Sequence, residues 1–298
     1  MGTFLGHLVP GLALTFLGLW HIINTIKTFC LNGSASFRVK FWFPFDGPFP
    51  ILLKHLELIF IFSFSIFVIS MQVLDFPFLH FAFKLDNFEH ATMYLHLAIF
   101  SGFSLFAELT HSINILSGVP GIFAASVFGQ ELFLLHFHSA DHVGLEGHYH
   151  WLLQLIVFVS FLATLAATSF PTNFSIALIL SILVVFQGCW LMNMSFMLWV
   201  PKYVPLGCIS QLGEGDNGDM SGSAVTCESP EADLRARALA NLQFSWILSG
   251  ILVLTGCVCL KFARKYGMNS PSIKYKQLQG GSEDHLPTII DSFVKANP

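Results

Sequence analysis

The sequence predicts an all-α, polytopic membrane protein: a bundle of seven transmembrane helices. Three observations carry that expectation. Its 298 residues are 54% hydrophobic and only 11% charged, whereas soluble domains are about a quarter charged. Mean hydropathy is +0.67, and so little charge could not cover a surface in water. Apolar stretches close to the roughly 20 residues that span a bilayer recur along the chain. These stretches lack the sustained period-two alternation of a membrane barrel.

The first stretch, 4–26, has no basic leader ahead of it and outruns the apolar core of a signal peptide, so it reads as a retained helix. A loop rich in Phe and Pro, Leu31 to Pro50, should lie along the membrane interface. The second span covers 51–74, the third 91–113 and the fourth 115–138, with Gly118 and Pro120 marking an interruption of the fourth. The fifth, sixth and seventh cover 149–169, 174–199 and 240–263. An outer loop, 201–239, precedes the last span. It is Gly- and acid-rich between Gly213 and Gly222, and its Pro230–Arg237 end can start the last helix early. Residues 1–263 thus form one transmembrane domain, followed by a polar tail, 264–298, expected to be disordered. The tail contains Y-K-Q-L at Tyr275 to Leu278, the form of an endocytic sorting signal.

Loop charge sets orientation. Lys27, Arg38, Lys40 and Lys54 share a side with Lys261, Arg264, Lys265, Lys274, Lys276 and Lys295, against Lys84, Lys202, Arg235 and Arg237 on the other. The N-terminus is therefore expected outside or in a lumen, and the C-terminus in the cytoplasm, of a plasma or internal membrane. The outer loop holds Cys208 and Cys227, a pair whose disulfide would suit an oxidising compartment. Asn32 and Asn173 sit in glycosylation sequons on the expected cytoplasmic side, so glycosylation at either would contradict this topology. The few scattered basic residues exclude a nucleic-acid partner. Membrane lipid is the expected contact, protein partners would use the tail or outer loop, and no feature specifies an oligomeric state.

Costly polar groups concentrate in E-L-F-L-L-H-F-H-S-A-D-H-V-G-L-E-G-H-Y-H, Glu131 to His150. At membrane depth such groups must pair, bind a metal or line a wet cavity. On a continuous helix Glu131, His138 and His142 fall within about 20° of one face. Glu146 and His150 repeat the i, i+4 spacing at the start of the next span, and His90 begins the third span on the same side. His136, His148 and Glu89 are near but should point elsewhere. Imidazoles with carboxylates suit zinc or another transition metal, and equally suit a structural polar network. A second set comprises Glu57 and Glu108, expected to be buried acids, with His21, His55 and His111 towards the helix ends. Glu108-Leu-Thr-His111 is half of a di-iron carboxylate motif, and no second half is present. Gln187, Trp190 and Asn193 offer hydrogen bonds between helices. Isolated histidines such as His7, His80 and His96 are expected to pack.

Together, the opening M-G-T-F-L-G-H-L-V-P-G, L-G-L-W at 17–20, H-A-T-M-Y at 90–94, Q-G-C-W at 187–190 and the Glu131–His150 block resemble the transmembrane protein 45 family, in its plant-type form. The resemblance covers roughly residues 1–263. It implies a multipass helical membrane protein, counterparts for His90, Glu131, His138, Glu146 and His150, and no established activity. Plant relatives carry stress- or virus-responsive labels. Ala140 stands where the animal-type pattern has a second His, and His142 is the plant-like variant. The residues thus support three expectations: a metal-binding protein, acting as an enzyme on an apolar substrate through His90, Glu131, His138, His142, Glu146 and His150; a transporter or proton/cation pathway through Glu57 and Glu108; or a non-catalytic scaffold in trafficking or stress signalling.

Overall fold

A computed structural model describes residues 3–45, 47, 51–75, 80–81, 85–112, 118–137, 144–210 and 225–267. His138, His142, the Gly213–Gly222 segment and the tail with its Y-K-Q-L lie outside them. The helices are α1 (Phe4–Ser36), α2 (Ile51–Lys54), α3 (Leu56–Val73), α4 (Leu85–Leu109), α5 (Val119–Phe137), α6 (Gly144–Ser169), α7 (Phe174–Trp199) and α8 (Pro230–Gly267). Two short antiparallel hairpins accompany them: β1 (Leu74–Asp75) with β2 (His80–Phe81), and β3 (Cys208–Ser210) with β4 (Val225–Cys227). Among the described residues, seven helices are long and apolar enough to cross a membrane: all but α2.

Helix ends depart from the apolar stretches for identifiable reasons. Thr3 caps α1, its hydroxyl accepting from the Gly6 N–H at 3.0 Å. That helix continues past residue 26 to Gly33, whose φ of 72° breaks it. Pro120 does not interrupt a span. It sits in the first turn of α5, where a missing N–H costs nothing. A polar first turn hid the true start of α4, at Leu85, whereas α8 begins early at Pro230, as its sequence allows, with Glu231 and Asp233 favoured at its positive end.

Lipid provides no hydrophobic drive for helices to associate, so close packing and interhelical hydrogen bonds must do so. The most extensive pairing is antiparallel α1 on α7, which meet through glycine. A Cβ on Gly188 would stand 2.5 Å from the Thr15 backbone nitrogen, and one on Gly18 2.6 Å from the Val185 nitrogen. Around the bundle α7 packs on α6, α6 on α5, α5 on α4 and α4 on α3. Hydrogen bonds from Trp20 and His21 to Glu57 close the circle between α1 and α3. Six helices thus form a ring, and α8 lies outside it against α1, α6 and α7.

Gln243 holds α8 in place. Its Oε1 accepts from the Tyr149 hydroxyl at 2.8 Å and the Asn193 amide at 3.0 Å, joining α6, α7 and α8. Gln243→Leu keeps the bulk and removes the acceptor, so we expect a loss of about 2 kcal/mol. The check is a lower midpoint of thermal unfolding in detergent, with Ser249→Leu, on the exposed face, unchanged. At the end where α7 finishes, Cys208 and Cys227 are disulfide-bonded across the β3–β4 hairpin.

Part of the first loop packs inward. Phe37 and Phe43 are buried at 2% and 5% exposure, and the Val39 N–H donates to the Pro171 carbonyl at 2.7 Å. These two side chains fold into the end of the ring where α1 finishes, Phe37 against Phe174 and Phe43 against His21.

Candidate functional site

The ring encloses a cavity of about 320 Å³. Residues of α1, α3, α4, α5, α6, α7 and the first loop line it, and none from α8 does. Its walls are mainly Phe, Leu, Val and Ala, with polar groups at three levels.

At the level where α1 begins stand His7, Glu89, His90 and His150. His150 is 5% exposed, and its Nδ1 donates to the Glu146 carbonyl at 3.0 Å. The His7 ring meets the His150 ring edge to face, 5.7 Å between centres, and lies 4.6 Å from Trp199.

One level deeper are Tyr94, Glu131 and Gln187. The Gln187 amide donates to Glu131 Oε1 at 2.7 Å, joining α7 to α5. Gln187 is 2% exposed, yet its own Oε1 has no hydrogen-bond partner among the described residues.

At the far level lies Glu57, buried in the first turn of α3, where the helix dipole favours a carboxylate. The Trp20 indole N–H and the Phe43 backbone N–H both donate to Oε2 at 2.9 Å, and His21 Nε2 bonds Oε1 at 2.8 Å. This acid joins α1, α3 and the first loop. Trp20 in turn stacks on Phe45, 4.5 Å between ring centres.

The Q-G-C-W run acquires a physical account residue by residue. Gln187 crosses to Glu131, and Gly188 admits the α1 backbone. Cys189 Sγ contacts the Thr15 hydroxyl at 3.9 Å. The Trp190 indole, fully buried, donates to the Tyr149 carbonyl at 3.1 Å and stacks on the Tyr149 ring.

Of the residues expected to hold a metal, His90, Glu131 and His150 line this one cavity, whereas Glu146 is buried beside it without lining it. Among the described residues no three His, Cys, Asp or Glu side chains come together as a metal-holding group. His136 takes a hydrogen bond from Gln154 at 3.0 Å, and His148 bonds Asn241 at 2.9 Å, both away from the cavity. Two expectations need correction. Glu89 faces the cavity, because α4 starts at Leu85 and carries residue 89 as part of a regular helix. Glu108 is half-buried and does not line the cavity. It occupies the last turn of α4, which ends at Leu109, and His111 follows with φ 55° outside the helix, so Glu108 and His111 share no helical face. His7, expected only to pack, belongs to the lining. Its proximity to α6 depends on the α1–α7 pairing, which no local spacing announces.

A model of the family described as "Family of unknown function (DUF716)" matches residues 117–260, from α5 into α8. Transmembrane epididymal protein 1 of Rattus norvegicus is 27% identical over 214 residues, 67% of this chain and 68% of the relative. Transmembrane epididymal protein 1A of Mus musculus is 24% identical over the same shares. The chain is an integral, multipass membrane protein similar to these epididymal transmembrane proteins and to the family of unknown function.

Proposed function

We propose that the protein binds an elongated, mostly apolar molecule inside the membrane, within the six-helix ring. The cavity carries this reading. Its volume falls in the range of about 300–1,000 Å³ common to ligand sites, and its make-up, apolar walls with a few placed polar groups, is theirs. A proton or cation path would need polar groups along its length. Between the polar levels, Leu17, Phe64, Leu97, Phe128 and Val184 wall the cavity instead, which favours an apolar occupant. In the orientation that loop charge supports, the His7–His150 level faces the outside or a lumen.

Native mass spectrometry of the purified protein tests this reading. We expect a lipid-sized adduct on the wild type, lost in Ala177→Trp, whose indole would fill the cavity from α7. Equal adducts on both proteins would contradict it.

A metal-assisted variant is the second reading. It is favoured by His90, Glu131 and His150 all lining the cavity, with His150 held through Nδ1 by a backbone carbonyl, as metal-bound imidazoles commonly are. Zinc or another transition metal would draw further ligands from His138 or His142. Near-stoichiometric metal, lost in the His138→Ala, His150→Ala double variant, is its expected signature, and metal-free native protein would eliminate it.

A further inference from the structure

Around the ring, neighbouring helices pack along their length with one exception, α1 and α3. Between these two, the hydrogen bonds among the described residues lie at a single level, those of Trp20 and His21 with Glu57. Helix α3 starts at that level, so the seam runs from there towards the end where α1 begins. Both of its edges are apolar and exposed. At about 3.6 residues per turn, Val9 and Phe16 stand on the flank of α1 turned away from Gly11 and Gly18, which meet α7. Phe60 and Phe67 stand on the flank of α3 turned away from Phe62, which packs at Gly102 of α4. All four are exposed. Phe60 decides what the seam does: it lines the cavity and is nevertheless 59% exposed. Cavity wall and lipid-facing surface therefore meet on one side chain.

We propose that this seam is a lateral portal, through which one acyl chain of a bilayer phospholipid enters the cavity. Its headgroup stays at the membrane surface on the side where α1 begins. This rests on the ligand-binding reading above and names its ligand class and source. Length supports the assignment. From Phe60 to Met71, which is also exposed, α3 rises roughly 16 Å. That is the depth of one leaflet in a hydrocarbon core about 30 Å thick. A headgroup would be costly to draw between apolar edges, whereas a hydrocarbon chain passes from one apolar medium to another. A sideways opening admits the chain and leaves the headgroup in water. A transmembrane helix seated in the seam would call for small residues at the contact, and the edges present Phe16, Phe60, Phe67 and Met71 instead.

The full chain is reconstituted in nanodiscs containing a phosphatidylcholine with a diazirine at the end of one acyl chain. A second sample receives diazirine-bearing hexadecane in unlabelled nanodiscs. Labelled residues are assigned by tandem mass spectrometry. We expect the phospholipid to label Phe128 and Val184, which wall the cavity, as well as Phe133 on the exposed surface of α5. Val9→Trp combined with Phe67→Trp, bulkier on both edges, should cut labelling of Phe128 and Val184 about tenfold, equivalent to about 1.4 kcal/mol, and leave Phe133 unchanged. Phospholipid labelling confined to exposed positions, with hexadecane reaching Phe128 and Val184, overturns the portal and leaves the ligand-binding reading intact. Undiminished cavity labelling in the double variant also overturns the portal. Failure of both probes to reach Phe128 and Val184 overturns the portal and the reading together. The two-probe comparison uses the wild type alone, so instability of the double variant does not remove the test.

Discussion

Gly188→Leu is expected to abolish the folded bundle. At that position α1 and α7 touch backbone to backbone: an added Cβ would lie 2.5 Å from the Thr15 nitrogen and 2.7 Å from the Gly11 carbonyl oxygen. Neither atom belongs to a flexible side chain, so the helices must separate. Overpacking commonly costs about 1–3 kcal/mol. Here the separation would also pull Gln187 from Glu131 and Trp190 from Tyr149, so the total should exceed about 3 kcal/mol. Size-exclusion chromatography after mild heating should find little monodisperse protein. Gly250→Leu, on α8 with nothing within 4 Å of its added Cβ, should match the wild type. Equal tolerance at both sites would mean that α1 and α7 do not meet as described.

Glu57→Ala should be nearly as damaging. It strands three donors, from Trp20, His21 and Phe43, at a site only 6% exposed. Each orphaned buried group costs about 1–3 kcal/mol, so a loss of at least about 3 kcal/mol is expected. In a domain of this size that lowers the melting midpoint by roughly 6 °C or more. Glu57→Gln should cost less, because its amide oxygen can still accept from Trp20 and Phe43. A Glu57→Ala protein as stable as the wild type would show that the contact does not hold α1 to α3. Glu57 and His21 also line the cavity, so Glu57→Ala should loosen the cavity as well as the fold.

The seven spans were legible because crossing a membrane demands a long apolar run, and composition alone exposes such runs. The polar Glu131–His150 block was legible for the complementary reason, as expensive side chains stand out against an apolar background. What could not be read was who faces whom. Glu57 and Glu108 look alike as acids in apolar helices, yet one is buried at a helix start with three donors and the other is half-buried in a last turn. His7 and Gln187 join the site through pairings across the bundle, of α1 with α7 and of α7 with α5. Gly18 and Gly188 offered the nearest signal, since small residues in membrane helices mark close approach, although they do not name the partner. The polar start of α4 escapes a reading by hydropathy because negative charge at a helix N-terminus is favourable yet apolar scales penalise it, whereas the early start of α8 at Pro230 was legible from its Pro and acidic residues.

A density map of the wild-type protein in lipid nanodiscs tests the central claim most directly. We expect six helices enclosing an elongated, non-protein density that reaches the Gln187 side chain, with α8 outside the ring. A ring whose phenylalanines meet at the centre with no such density, or one into which α8 inserts, would contradict it.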